Sequence, residues 1–156
     1  MLTLRTAAVG EMDLVCETTR SQMVPTPKRA RILLAEDDDE MRHLLAAVLR
    51  REGYEIIEAS DGTEAVGYIY PLVFGGNAAA APDLIITDLC MPGWTGIRIL
   101  EMVCGGHVPL PVILITAFGA AETHAEARHL GAAAMFDKPF DVDDLRAAVL
   151  KLVPPR

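Results

Sequence analysis

Cysteine is scarce in this sequence: Cys16, Cys90 and Cys104 are the only three in 156 residues. An odd number without CxxC spacing supplies neither a disulfide framework nor a zinc site, and it points to a reducing, cytoplasmic setting. Apolar runs such as Ala78 to Ala81 and Val112 to Ile115 fall far short of the ~20 residues that a membrane-spanning helix needs. Met1 to Gly10 carries one Arg, no sustained apolar stretch and no small-residue cleavage site, so it does not read as a signal peptide. Lysine is also sparse, and the formal net charge is -8. Such a field repels phosphates, so neither nucleic acid nor an anionic membrane is an expected partner, and Lys28, Arg29 and Arg31 read as a solvated linker. Apolar content is plentiful: 51% hydrophobic against 23% charged excludes an intrinsically disordered chain and fits one soluble domain.

Two regions are distinguishable. Residues 1–29 are mixed in character and end in Val24-Pro-Thr-Pro-Lys-Arg29, where two prolines break any periodicity. They read as an extension and linker, either disordered or holding a short helix around Glu11 to Met23, with residues 30–156 forming the domain. From Arg31 short apolar runs alternate with helical stretches. The runs are Ile32 to Ala35, Tyr54 to Ala59, Leu84 to Thr87, Val112 to Ile115 and Ala134 to Phe136. Between and after them lie segments with apolar residues three or four apart, including Met41, Leu44, Leu45, Val48 and Leu49, then Ala65, Val66, Ile69 and Tyr70. The pattern predicts (βα)5, an α/β doubly wound sandwich with a five-stranded parallel sheet. Strands one, three and four are nearly all apolar, as central strands covered on both faces are; the second alternates, as an edge strand does. Asp61-Gly-Thr-Glu64 resembles a capping box, Gly53 ends the first helix, and Asp141 can cap the fifth. Pro71 to Pro82 makes an unusually long connection, expected to be a mobile surface segment.

In an open parallel sheet, ligands bind beyond the carboxyl ends of the strands. Glu36 to Glu40 follow the first run, Asp88 the third, Thr116 the fourth, and Asp137 and Lys138 the fifth. Two carboxylates 4 Å apart repel by roughly 4 kcal/mol at an effective dielectric near 20, so Glu36, Asp37 and Asp88 together need a counter-charge that Lys138 alone cannot supply. Mg²⁺ suits an all-oxygen inventory: Asp37 and Asp88 directly, Glu36 directly or through water, and the Cys90 backbone carbonyl. A carboxylate beside Mg²⁺, a lysine and a hydroxyl is arranged for phosphoryl transfer, with Asp88 as nucleophile and Thr116 bonding a phosphoryl oxygen. Asp38, Asp39 and Glu40 read as a solvated helix start. His43, His107, His124 and His129 show no metal-like spacing and read as surface residues, and Cys90 lacks a positioned base.

Arg31-Ile-Leu-Leu-Ala-Glu-Asp-Asp38, Pro82-Asp-Leu-Ile-Ile-Thr-Asp-Leu-Cys-Met-Pro-Gly93, Pro111-Val-Ile-Leu-Ile-Thr-Ala117 and Phe136-Asp-Lys-Pro-Phe140 resemble the response-regulator receiver domain, the CheY-like phosphoacceptor of two-component signalling. The resemblance runs from about Arg31 to Val153 and implies a flavodoxin-like fold with strand order 2-1-3-4-5. It implies that Asp88 accepts a phosphoryl group from a histidine kinase or histidine phosphotransfer protein, and that Glu36 and Asp37 hold Mg²⁺. Lys138, Thr116 and the Ala117 backbone would read the phosphate. It also implies a cis peptide between Lys138 and Pro139, and a partner-binding face formed by the fourth helix, fifth strand and fifth helix. The chain departs from the family twice: Glu36 stands where an aspartate is usual, and Met135 stands where an aromatic commonly swings inward as the Thr is recruited. Phe136 should point to the other face of its strand and is a poor substitute.

The reading is therefore a single-domain response regulator, a phosphoacceptor rather than a conventional enzyme, whose output passes through a partner protein. Val153-Pro-Pro-Arg156 leaves no room for an output domain unless the chain is cut from a longer protein. The alternatives are a phosphate-independent pseudo-receiver and, with less support, a Mg²⁺-dependent phosphohydrolase, which would want an acid-base carboxylate where Cys90 sits. A homodimer is compatible with all of these.

Overall fold

The computed structural model describes residues 28–76 and 81–156. The expected N-terminal extension, its helix around 11–23 and Cys16 lie outside the described residues. Ten elements alternate along the chain: β1 (Arg31–Ala35), α1 (Asp39–Arg51), β2 (Glu55–Ala59), α2 (Gly62–Phe74), β3 (Leu84–Asp88), α3 (Gly96–Gly105), β4 (Val112–Thr116), α4 (Ala121–His129), β5 (Ala134–Asp137) and α5 (Val142–Leu152). The strands form one parallel sheet in the order β2-β1-β3-β4-β5, the flavodoxin-like arrangement, with the alternating strand β2 at an edge as its pattern predicts.

Alternation along each strand divides the core into two layers. Ile32, Leu34, Leu84, Ile86, Ile113 and Ile115 pack with Leu45 and Leu49 of α1 and Leu145 and Val149 of α5. Leu33, Ile85, Val112 and Leu114 face the other way, against Ile69 of α2, Leu100 of α3 and Ala127 of α4. Burying each such Leu or Ile contributes roughly 1.5–3 kcal/mol. Leu44, at an apolar position of the α1 pattern, is instead half exposed.

The local signals at helix ends are realised. Asp61 Oδ1 accepts from the Glu64 N–H at 2.8 Å, while the Glu64 carboxylate reaches back to the Ser60 N–H at 2.8 Å. Asp38 caps α1 by accepting from the Met41 N–H, and Asp141 caps α5 by accepting from the Asp143 N–H. Gly53, at φ +96°, follows α1. The connection after the second helix is shorter than Pro71 suggests, because α2 runs through Pro71 to Phe74. Partly buried Val73, packed on the core, holds that extra turn, and Gly75 ends it in the left-handed region, its N–H donating to the Pro71 carbonyl.

Candidate functional site

Because all its strands are parallel, the sheet brings the carboxyl ends of β1, β3, β4 and β5 to one edge. Asp88 is the last residue of β3, Thr116 the last of β4, Glu36 follows β1 and Lys138 follows β5. Lys138 Nζ lies 2.6 Å from Asp88 Oδ2 and 2.9 Å from Glu36 Oε2. The remaining Asp88 oxygen accepts from the Cys90 N–H at 2.8 Å, and Glu36 Oε1 accepts from the Asp38 N–H at 3.2 Å. Asp37 completes the acidic group: one oxygen each of Glu36, Asp37 and Asp88 lie within 4.8 Å of one another. Glu36 and Asp88 are buried, whereas Asp37 is exposed to solvent and gives the group an open side.

One ammonium shared between two buried carboxylates leaves negative charge over. Burial pushes the Glu36 carboxyl up to about 7, with the neighbouring Asp88 charge adding to the rise and the Lys138 hydrogen bond opposing it. For Lys138, burial works against the ammonium but is outweighed by its hydrogen bonds to Asp88 and Glu36, and its pKa stands above the ordinary value. Protonation of Glu36 is one means of offsetting the surplus charge, and a divalent cation is the other. The donor set of three carboxylates is hard and all-oxygen, and it fits Mg²⁺.

Thr116 is buried, and its Oγ1 accepts from the Phe118 N–H at 3.1 Å. Ala117, next in the chain, is exposed. The Lys138-Pro139 bond is cis. Met135 packs into the layer beneath α4, whereas Phe136 lies on the opposite side of β5 and meets Phe140 at a ring separation of 5.8 Å. Phe136 therefore stands on the wrong face to replace the missing aromatic.

Three features escape the sequence pattern. Arg42, one turn into α1, is nearly buried and donates to the Glu36 carbonyl at 2.8 Å, while pairing with Asp39 and, at 3.5 Å, with Glu58. Gly96 and Gly62 permit close backbone approaches: a Cβ on Gly96 would lie 2.6 Å from the Asp88 carbonyl, and one on Gly62 would lie 1.8 Å from the Trp94 carbonyl. Both pack the loop after Asp88 against its neighbours. His124, read as a surface residue, is instead half-buried and bonds Asp137 at 2.9 Å, joining α4 to the end of β5. Gly119 makes room for this pair, since a Cβ there would lie 2.0 Å from Asp137 Oδ1. Only the glycines carry a sequence signal, as isolated Gly residues at element starts.

The response regulator receiver domain family model matches residues 32–150. The chain belongs to that family. This receiver domain is 35% identical over 124 residues to sporulation initiation phosphotransferase F of Bacillus subtilis, covering 80% of this chain and 94% of that protein. It is 38% identical over 120 residues to the transcriptional regulatory protein PdtaR of Mycobacterium tuberculosis, covering 76% of this chain but 54% of that protein. The chain spans about a quarter of the regulatory protein AtoC of Escherichia coli, at 24% of its length. Among solved structures, response regulator TrrA of Thermotoga maritima, in complex with Mg²⁺-BeF, superposes with a TM-score of 0.66 at 31% identity, covering 80% of this chain and 99% of that one. The signal receiver domain of a LuxO repressor protein from Vibrio parahaemolyticus gives a TM-score of 0.70 at 28% identity, covering 80% and 89%.

Proposed function

We propose that this receiver domain accepts a phosphoryl group on Asp88 from the phosphohistidine of a histidine kinase or histidine phosphotransfer protein, in a Mg²⁺-dependent reaction. The observation that carries the reading is the Asp88 carboxylate itself. It is buried at the end of β3, held at 2.6 Å by Lys138 and oriented by the Cys90 N–H, with two more carboxylates alongside. In the reaction an Asp88 oxygen bonds to phosphorus as the P–N bond breaks, and the imidazole leaves with the electron pair and takes up a proton. Glu36, Asp37, Asp88 and the Cys90 carbonyl would hold Mg²⁺, which supplies positive charge to offset that on the phosphoryl oxygens.

The other residues act on the product. Lys138 loses its ion pair with the Asp88 carboxylate once that group becomes an acyl phosphate, and its ammonium then pairs with a phosphoryl oxygen. The Thr116 hydroxyl, whose oxygen accepts from Phe118, has its own proton to give to a second oxygen, and the Ala117 N–H supplies a further donor. Redirecting these groups moves the β4–α4 connection and the α4-β5-α5 face, through which a partner protein reads the signal. Complete switching, from 1:99 to 99:1, needs roughly 5.5 kcal/mol, which several charge-assisted bonds can supply. Met135 stands in place of the usual aromatic relay, and the His124–Asp137 bond is one connection between α4 and β5 that can rearrange. Phosphotransfer is self-catalysed and followed by slow autodephosphorylation, in a cytoplasmic setting.

Trp94, six residues beyond Asp88, reports locally on the site. Mg²⁺ followed by beryllofluoride is expected to change its fluorescence saturably in the natural protein and to leave Asp88→Asn unchanged. A response to neither ligand contradicts the phosphoacceptor reading and favours a phosphate-independent module.

A further inference from the structure

Away from the acidic group, α2 and α3 leave between them a groove of about 410 Å³ lined by Tyr70, Phe74, Trp94, Arg98, Glu101 and Met102. Its apolar content is unusual for a surface. Tyr70 is 55% exposed and Phe74 62% exposed, their rings in tilted contact with centroids 4.5 Å apart, in a chain where aromatic residues make up only 5%. Exposed aromatic side chains that gather around a groove mark a contact surface rather than scattered surface apolarity. The rim is polar: the Arg98 guanidinium lies 5.4 Å from the Trp94 ring centroid, and Glu101 follows one helical turn later. Among the described residues neither Arg98 nor Glu101 has an ion-pair partner.

We infer that this groove is the isologous interface of a homodimer, with α3 crossing α3 of a second copy about a two-fold axis. Charge complementarity favours a second copy as the occupant. A cation and an anion one turn apart on the same helix face are self-complementary: in an antiparallel crossing Arg98 meets the partner subunit's Glu101, and Glu101 meets the partner subunit's Arg98. A partner of uniform charge would meet one attractive and one repulsive group on this rim. Tyr70, Phe74 and Met102 then supply the apolar centre, and the two ion pairs fix the register around it. This surface lies on the α2–α3 side of the sheet and is separate from the α4-β5-α5 face, so the inference does not rest on phosphorylation of Asp88.

Sedimentation velocity on the full chain, unphosphorylated and from micromolar to millimolar concentration, tests it. The expected result is a monomer–dimer equilibrium that Phe74→Ser shifts to monomer. Arg98→Glu and Glu101→Arg each convert both rim pairs to repulsions and are expected to weaken association by roughly tenfold or more. Mixing these two variants restores attraction at both pairs in the heterodimer, and is expected to recover the dimer. A monomer at every concentration overturns the inference. So does a dimer indifferent to the charge reversals, which would place the contact elsewhere, and so does failure of the mixed variants to associate.

Discussion

Lys138 serves two carboxylates at once, and the effect of removing it depends on pH. Without the ammonium, Glu36 sits buried beside Asp88 with no cation, and breaking such an arrangement typically costs about 3 kcal/mol. Below pH 7 Glu36 escapes part of that cost by holding a proton. Lys138→Ala is therefore expected to be destabilised more at about pH 8 than at about pH 6, as urea unfolding would measure. The natural protein has its own dependence. Because burial raises the Glu36 pKa from 4.5 to about 7, the folded state binds its proton more tightly than the unfolded chain does. The contribution of this group to stability is full below pH 4.5 and is lost as pH rises through about 7. Mg²⁺ needs the ionised form, so its affinity is expected to run the other way, falling about tenfold from pH 7.5 to pH 6. A titration followed by Trp94 fluorescence would show it, and a pH-independent affinity would contradict the assignment of Glu36. Arg42 is a different case, since its guanidinium holds the Glu36 backbone carbonyl. Arg42→Met is expected to lower stability by about 2 kcal/mol, measured by urea unfolding, by leaving that carbonyl unpaired.

Among the described helices, α4 has the fewest buried residues. Its N-cap, Ala120, makes no side-chain capping bond, and Ala127 is its one buried residue. By contrast α1 and α5 are capped by Asp38 and Asp141 and bury leucines in the core. The His124–Asp137 bond ties α4 to β5, beside the packing of Ala127 and Met135 in one apolar layer. Amide hydrogen exchange is expected to be faster in α4 than in α1 or α5, and His124→Ala to speed it further without changing α1. Equal protection of all three helices would contradict this description. The same elements show what was legible in the sequence. Strands and helices with strong periodicity stand where the pattern puts them, because burial on a sheet face or helix stripe is a local property repeated along the chain. Pro71 inside α2 was not legible, because the packing of Val73 outweighs the lost backbone bond. The His124–Asp137 pair was not legible either: it joins residues 13 apart, and their meeting depends on how closely Gly119 lets α4 approach β5.

At the scale of the whole molecule, the doubly wound sheet gathers three separate segments of sequence into one acidic group with its lysine, and this is why the candidate site could be read from strand-end residues alone. Asp88, Glu36 and Lys138 each follow an apolar run, and topology does the rest. What strand ends do not reveal is side-chain aim, such as Arg42 turning back from α1 to the Glu36 carbonyl, or the aromatic groove between α2 and α3, whose residues look like ordinary helix positions in sequence. The central claim concerns Asp88, and the most direct measurement is the intact mass of the protein after incubation with acetyl phosphate and Mg²⁺. The expected result is the gain of one phosphate, absent when Mg²⁺ is chelated and absent in Asp88→Asn. No gain in the natural protein, or an undiminished gain in Asp88→Asn, would contradict it.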